Sequence, residues 1–247
     1  MQYLTLPIRD CKVNAGYKSE TYRKEWGFGH YGVDLGTMNE SREVYACGAG
    51  EVIAAGQDGA DLTGPNSRLG NCVVIVYRDV KLPDGRTLDL ACRMFHLEKL
   101  LVKAGDRVDR DTMIGVFGNT GANTSGPHLH IEFDTDTQYP RHAYGIAGSG
   151  KVILQGTVDS TLDPSKVWYV GEGQRVCTMP SWIDKGWTGR EDVELPKVPK
   201  EAGEECPDCA ALREENKKLR AAVDEYEAER AAVYNHVKAM IDFLGGE

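Results

Sequence analysis

The fold is decided by the stretch GNCVVIVYRDVKLPDGRTLDLACRMFHL, residues 70–97. Its first part, residues 70–79, is dominated by β-branched side chains, which favour the extended conformation of a strand. The Pro-Asp-Gly sequence inside residues 82–87 is typical of a tight turn, and the apolar run at residues 88–97 supplies a second strand. The stretch therefore predicts a β-hairpin.

Short apolar runs separated by turn residues continue on both sides of this hairpin. Residues 44–56 predict two short strands broken by glycine, residues 102–121 predict two more, and residues 128–133 predict another. Strands of this length with few helical signals between them are typical of all-β domains. We therefore predict a mainly β domain over residues 1–170.

Composition excludes some classes of partner. The chain of 247 residues carries a formal net charge of −9 and a pI of about 5.3, which argues against a surface that binds nucleic acid. No apolar run approaches the ~20 residues of a membrane span. The first residues lack the features of a secretory signal peptide, so we expect synthesis in the cytoplasm without a standard export signal.

Six of the seven cysteines form two groups. Four of them lie in apolar or strand-like sequence and are expected to be buried thiols: Cys11, Cys47, Cys72 and Cys92. Cys206 and Cys209 form a single CPDC pair, which lacks the further ligands of a structural zinc site. We expect this pair to begin a helix, with an interchain disulfide as the alternative.

Residues 171–205 are rich in proline, glycine and charge, which predicts a linker. We expect its Trp182 and Trp187 to pack on the β domain, with ligand contact as the alternative. Residues 206–247 predict a C-terminal α-helix, because residues 209–244 contain no glycine or proline.

The apolar positions of this helix recur every seven residues, as in a coiled coil. One register contains Leu212, Leu219, Tyr226, Val233 and Met240, and the other contains Cys209, Val223, Val237 and Leu244. Asn216 interrupts the second register, a typical device for fixing strand number. We expect a homo-oligomer formed through residues 209–244, with packing of the helix on the β domain as the alternative.

Four of the six histidines lie in three segments that can carry chemistry: His30, His96, His128 and His130. His128 and His130 stand two apart in a strand-like stretch, so they share one face. His30 is followed by Asp34 in a glycine-rich segment that favours extended or turn geometry over a helix. The two remaining histidines, His142 and His236, are expected to be solvated.

A set of histidine, aspartate and histidine is a suitable ligand shell for Zn²⁺. Three protein ligands leave a fourth position for water, which is the arrangement of a catalytic zinc site. Each motif alone is weak evidence, since strands often carry a His-x-His pair by chance.

Order, spacing and flanking glycines together resemble the lysostaphin-like (LytM-type) zinc metallopeptidases, which cut peptide cross-links of bacterial peptidoglycan. The matching stretches are HYGVDLG (30–36), VYACGAGEVIAAG (44–56), GNCVVIVY (70–77) and the long run MFHLEKLLVKAGDRVDRDTMIGVFGNTGANTSGPHLHIEF (94–133). The resemblance covers roughly residues 28–134. Two departures are Tyr77, where histidine is common, and ANTSGPHLH, which varies the approach to the last strand.

The resemblance implies the fold of that family, a Zn²⁺ cofactor and a role for each residue. Its metal ligands fall on His30, Asp34 and His130, and its two other histidines fall on His96 and His128. We expect His128 to act as the general base and His96 to stabilise the oxyanion. The partner implied is the peptidoglycan of a bacterial cell wall.

Three readings of the function stay open. The first is an active endopeptidase, which without an export signal suggests an endolysin of a bacteriophage or prophage that reaches the wall through another protein's pore. The second is a non-catalytic module that binds the wall or activates another hydrolase. The third is a structural phage component in which the coiled coil is the main feature.

Overall fold

The computed structural model describes residues 1–56, 69–140, 159–178 and 194–199, together with Glu215, Lys218 and Arg230. The chain divides into two compact units, Met1–Gly203 and Glu204–Glu247. The first unit carries the sheet and the candidate site. Among the described residues, no helix is long and apolar enough to span a lipid bilayer.

The described part of the first unit is mainly β, as predicted. Its strands are β1 (Leu4–Thr5), β2 (Asp10–Ala15), β3 (Val33–Thr37), β4 (Glu43–Tyr45), β5 (Gly50–Gly56), β6 (Asn71–Lys81), β7 (Thr87–Leu100), β8 (Arg107–Val108), β9 (Met113–Phe117), β10 (Leu129–Asp134), β11 (Thr161–Leu162), β12 (Trp168–Tyr169) and β13 (Arg175–Thr178). One α-helix, α1 (Glu20–Trp26), and one 3-10 turn, Pro164–Lys166, accompany them.

Most of these strands form one eleven-stranded sheet among the described residues. Its main order is β13-β2-β3-β10-β7-β6-β5-β8; β11 pairs with β10, and β9 pairs with β4 and β7. The predicted hairpin is confirmed as β6 and β7, with Gly85 at φ 92° in the turn. A separate two-stranded parallel pair joins β1 to β12.

The sheet buries apolar side chains on both faces. The larger cluster includes Val33, Leu35, Ile131, Phe133 and Trp168, all fully buried. Other apolar side chains of β5, β6 and β7 form a second, smaller cluster, which includes Val74 and Phe95. Burial on both faces explains the nearly continuous apolar run of β6, which a strand with one solvated face would not show.

Two elements differ from the sequence-based prediction. Helix α1 lies in a segment for which we predicted none; it begins after Ser19, whose side chain accepts from the Tyr22 backbone N–H, and it ends at Gly27 with φ 78°. Strand β13 lies within residues 171–205, which we predicted as a linker, and it pairs in parallel with β2. The β domain therefore extends at least to Thr178.

Most of the predicted C-terminal helix lies outside the described residues. Glu215, Lys218 and Arg230 are helical and exposed. Trp182, Trp187, Cys206 and Cys209 also fall outside the described part of the chain. The coiled coil, the oligomer and the roles of these four residues stay predictions.

The predicted burial of four thiols is confirmed: Cys11, Cys47, Cys72 and Cys92 are buried, as is Cys177. Tyr77 is also fully buried, and its hydroxyl oxygen accepts a 2.9 Å hydrogen bond from the Cys47 backbone N–H. Tyr77 is therefore part of the core of this domain.

We predict that Tyr77→Phe destabilises the fold through this hydrogen bond. The change would leave the buried Cys47 N–H without its acceptor, at a cost of about 1–3 kcal/mol. Tyr45→Phe is the matched control, because the Tyr45 hydroxyl donates to the exposed Glu43 and its loss should cost about 0.5 kcal/mol or less. Urea denaturation measures both, and equal free energies of unfolding would contradict the prediction.

Candidate functional site

The five candidate residues come together on or beside three neighbouring strands. Asp34 lies on β3 and His130 on β10, where the two are directly opposite each other in the antiparallel register. His96 lies on β7, on the other side of β10, and His128 directly precedes β10. In the sheet order, β10 with His130 therefore lies between β3, which carries Asp34, and β7, which carries His96.

Strand β10 alternates between the core and the site. Leu129, Ile131 and Phe133 belong to the main apolar cluster. The polar residues between them, from His128 to Asp134, therefore lie on the opposite face. This confirms the shared face of His128 and His130 that the sequence predicts.

Three ligand atoms meet at nearly equal distances. His30 Nε2 lies 3.0 Å from Asp34 Oδ1 and 3.1 Å from His130 Nδ1, and His130 Nδ1 lies 2.9 Å from Asp34 Oδ1. His30 is fully buried, and Asp34 is 8% exposed. These three side chains form a group suited to a metal ion.

Hydrogen bonding fixes which nitrogen of His30 faces this point. Its Nδ1 lies 2.8 Å from the Gly16 carbonyl oxygen, which can only accept, so Nδ1 carries the proton. The neutral ring therefore presents a lone pair at Nε2. Tyr22 stacks on the same ring with a centroid distance of 4.1 Å and an interplanar angle of 14°, which further holds its orientation.

The same reasoning applies to His130 with the nitrogens exchanged. In the neutral ring, the bond from Nε2 to Glu132 Oε1 at 3.2 Å leaves the lone pair on Nδ1, which faces Asp34 Oδ1 at 2.9 Å. Three lone pairs, on His30, Asp34 and His130, consequently converge. Such an arrangement is stable only if a proton or a cation lies among the three atoms.

A divalent metal ion fits this donor set. Ligand atoms around a tetrahedral Zn²⁺ ion with bonds of 2.0–2.2 Å are about 3.3–3.6 Å apart, close to the spacing found here. Two imidazole nitrogens and one carboxylate oxygen are among the ligands that zinc prefers. With three protein ligands, one position is left for water or substrate.

Without a metal ion, a proton takes its place. Burial lowers the pKa of His130, but hydrogen bonds to Asp34 and Glu132 outweigh burial and raise the pKa to about 9. Burial raises the pKa of Asp34, but the charge on His30 and the hydrogen bond from His130 outweigh it and hold the pKa well below its usual value. The site therefore retains positive charge at neutral pH in either state.

The other two histidines have their Nδ1 atoms bound to backbone carbonyls. His128 Nδ1 lies 2.8 Å from the Gly126 oxygen, and His96 Nδ1 lies 2.8 Å from the Thr120 oxygen. Each neutral ring therefore has its lone pair on Nε2. His128 Nε2 lies 3.5 Å from Asp34 Oδ1, at the edge of the three-ligand group.

His96 reaches this site through an unusual backbone conformation. Its φ of 65° is in the left-handed region, which costs a non-glycine residue about 1–3 kcal/mol. In a regular strand His96 and Phe95 would point to opposite faces. Here both rings contact the same histidine, with centroids 6.2 and 5.6 Å from His130.

The environment of His96 bears on the division of roles. Burial, followed by the charges on His128 and His130, lowers the pKa of His96 to about 4. The ring is therefore neutral at pH 7 and presents a lone pair. A group with so low a pKa is also a weak base, so the division of roles between His96 and His128 stays a prediction.

A groove opens beside the three ligands. Its lining includes the segment 123–128, Asn14 of β2, Tyr22 and Trp26 of α1, and Asp34. The side chain of Trp26 is 42% exposed, so it is available to a bound molecule.

Three residues of the site were not predicted: Tyr22, Glu132 and Arg93. Glu132 could have been found, because it stands two residues after His130 and shares its face by the same alternation. Ser19 and Gly27 are cap residues that could have indicated α1 and hence Tyr22. No local signal indicates Arg93, whose role depends on its cross-strand partner Glu132. His142 and His236 lie outside the described residues.

Part of the chain is similar in sequence to known proteins. Residues 28–141 match the model of Peptidase family M23. The chain is 37% identical over 103 residues to peptidoglycan DD-endopeptidase ShyA of Vibrio cholerae, covering 42% of this chain and 20% of that protein. It is 32% identical over 163 residues to lysostaphin of Staphylococcus staphylolyticus, covering 60% of this chain and 30% of that protein.

The chain thus spans less than a third of the length of these two curated relatives. Among solved structures, the antimicrobial peptidase lysostaphin from Staphylococcus simulans matches with a TM-score of 0.42 and 23% identity. That match covers 66% of this chain and 50% of the lysostaphin chain.

We predict that metal affinity rises with pH because a proton and a metal ion compete at His130. Its pKa of about 9 means that Zn²⁺ must displace a proton at neutral pH. The affinity for Zn²⁺ should therefore increase by up to about tenfold per pH unit between pH 6.5 and 9. Stability of the metal-free chain that comes from this proton is fully present below pH 6.5 and is lost as pH rises through 9.

Calorimetric titration with Zn²⁺ at several pH values, in buffers of different ionisation enthalpy, measures both the affinity and the protons released. An affinity that does not change with pH, together with no proton release, would show that no proton occupies the metal position.

Proposed function

We propose that this chain belongs to Peptidase family M23 and is a zinc-dependent endopeptidase that hydrolyses peptide bonds in bacterial peptidoglycan. The observation that carries this proposal is the convergence of three lone pairs on His30, Asp34 and His130 beside two further imidazoles. The match to the family model over residues 28–141 supports it. The names of the relatives, a peptidoglycan endopeptidase and lysostaphin, support the substrate class.

The reaction combines a Lewis acid with two proton-handling residues. Bound Zn²⁺ would supply an activated water and polarise the scissile carbonyl. His96 and His128, each with Nδ1–H held by a backbone carbonyl, present Nε2 to take a proton and later return it to the leaving amine. We propose the division expected from the sequence, with His128 as the general base and His96, once protonated, stabilising the developing oxyanion.

The groove suits an extended and narrow peptide. Segment 123–128 contributes a glycine, two hydroxyl side chains and a proline, so much of this part of the lining is backbone and small polar groups. Trp26 and Tyr22 add an aromatic surface to the same groove. Stem peptides or cross-bridges built of small residues would fit this lining, with the scissile bond near Asp34 and His128, which also line it.

A non-catalytic module that activates another hydrolase is the main alternative. It predicts neither zinc at about one ion per chain nor wall hydrolysis that EDTA abolishes. The complete set of five residues favours the enzyme, because a binding module has no need of two histidines with fixed tautomers beside a metal site. Metal analysis of the purified chain, followed by a wall-clearing assay with and without EDTA, separates the two.

We further propose that the chain acts on the cell wall as a phage or prophage endolysin and self-associates through residues 209–244. The heptad pattern of that segment supports self-association. Light scattering tests it, and a strictly monomeric mass would contradict it.

The decisive test of function is digestion of purified cell walls from several bacteria, with identification of the released fragments by mass spectrometry. New amino termini within stem peptides or cross-bridges would establish the reaction and name the scissile bond. Release of glycan fragments with intact peptides, or no release by the zinc-loaded chain, would contradict the proposal.

We predict different outcomes for two neighbouring histidines. His130→Ala deletes a ligand and should lose both zinc and activity. His128→Ala should keep zinc but lose activity by about 10²-fold or more, because it deletes a proton-handling group. Zinc content and the rate of wall clearing measure the difference, and loss of zinc only in His128→Ala would reverse the assignment.

We also predict that Trp26→Ala weakens substrate binding. Loss of its aromatic surface should raise KM about 3–10-fold with little change in kcat. Phe28→Ala is the matched control, because Phe28 is 41% exposed and packs on Tyr22 without lining the groove. Equal effects of the two variants on KM would indicate an effect through Tyr22 instead of direct contact.

A further inference from the structure

A buried ion-pair array lies directly behind the metal ligand His130. Arg93 is fully buried, its Nε donates to Glu132 Oε2 at 2.9 Å, and its Nη2 donates to Asp134 Oδ2 at 2.6 Å. The remaining terminal nitrogen, Nη1, donates to the Pro140 carbonyl oxygen at 3.1 Å. The guanidinium group is therefore bound on all three of its nitrogens.

Glu132 joins this array to the site. Its Oε2 accepts from Arg93, and its Oε1 accepts from His130 Nε2 at 3.2 Å. Glu132 is 2% exposed, so neither oxygen is well solvated. One carboxylate thus holds an arginine on one side and the imidazole of a metal ligand on the other.

Arg93 offsets only part of the negative charge around it. It is paired with two carboxylates, Glu132 and Asp134, and Asp34 adds a third at the metal position. A proton on His130, or a divalent ion bound by Asp34 and His130, would reduce the remaining negative charge of this largely buried region.

We propose that Glu132 is a positioning residue for the metal site, held in place by Arg93, and that it keeps the proton of His130 on Nε2 so that Nδ1 faces the metal. The inference rests on the zinc site of the proposed function. A carboxylate that accepts from the far nitrogen of a metal-bound imidazole also raises the basicity of the near nitrogen, which strengthens the metal bond.

The register of the sheet explains why this role falls to Glu132. Glu132 lies directly opposite Arg93 in the pairing of β10 with β7, and His130 lies two residues earlier on the same face. The next residue on that face, Asp134, also contacts Arg93 and does not contact His130. The two carboxylates are therefore alike in burial and in their arginine contact, and they differ in the contact to the metal ligand.

This difference supplies a matched pair of variants. In Glu132→Gln, the amide cannot accept from both Arg93 and His130, because only one of its two terminal atoms is an acceptor. Asp134→Asn meets the same difficulty with Arg93 and with the Asp136 backbone N–H, but leaves His130 untouched. Both variants remove one buried negative charge from the same arginine.

Zinc affinity is measured by competition with a chromophoric chelator, using the full chain and both variants. We expect Glu132→Gln to weaken zinc binding by about 10–100-fold and Asp134→Asn to weaken it by less than about threefold. Melting temperatures of the metal-free proteins should fall for both variants, which separates loss of stability from loss of metal affinity. Equal loss of zinc affinity in the two variants, or none in Glu132→Gln, would overturn the proposal.

A second measurement stands on the wild-type chain and does not depend on the folding of a variant. Long-range ¹H–¹⁵N spectra of the zinc-loaded protein distinguish a protonated Nε2 from a protonated Nδ1 in His130. We expect Nε2–H with Nδ1 bound to zinc, and the opposite tautomer would overturn the proposal. If the wild-type chain binds no zinc, the proposed metal site fails as well, whereas normal zinc binding by Glu132→Gln overturns only the role of Glu132.

Discussion

The structure depends on the meeting of three ligand atoms that need a proton or a cation among them. His30 Nε2, Asp34 Oδ1 and His130 Nδ1 lie about 3 Å apart, and the hydrogen bonds made elsewhere by both rings leave lone pairs at the point where they meet. Three features hold these atoms in place. The Gly16 carbonyl oxygen accepts from the far nitrogen of His30, and Glu132 accepts from the far nitrogen of His130. The adjacent strands β3, β10 and β7 fix the backbone that carries the site. A folded chain keeps these atoms together when a proton or a metal ion lies among them, and this meeting of three ligand atoms indicates function more strongly than any single motif.

Strand alternation made much of this site predictable from the sequence. The polar and apolar residues of β10 separate onto two faces, so the shared face of His128 and His130 follows from local pattern alone. The hairpin of β6 and β7 was equally predictable, because its β-branched residues and its turn lie within one short stretch. That Asp34 would share a metal site with His130 was implied by family resemblance and not by the residues themselves, since strand order is a property of the whole chain.

The parts that escaped prediction depend on contacts between distant segments. Strand β13 has a sequence typical of a linker and becomes a strand because β2 offers it a free edge. His96 has a left-handed backbone because the surrounding strands hold it there, and no property of a histidine indicates this. Arg93 would ordinarily be expected at the surface; two carboxylates and a carbonyl permit its burial. In each case the deciding partner lies far away along the chain.

The pairing of β2 with β3 sets the size of the smallest autonomous piece of this domain. Ala15 of β2 pairs with Asp34, and the adjacent Gly16 orients His30, although both lie upstream of the segment that matches the family model. Excising that segment alone would turn β3 into an unprotected edge and would remove the anchor of one imidazole. Anyone who wishes to graft this module onto another protein must therefore transplant the flanking strands from both sides as well, because the cassette defined by sequence similarity is smaller than the unit defined by hydrogen bonding.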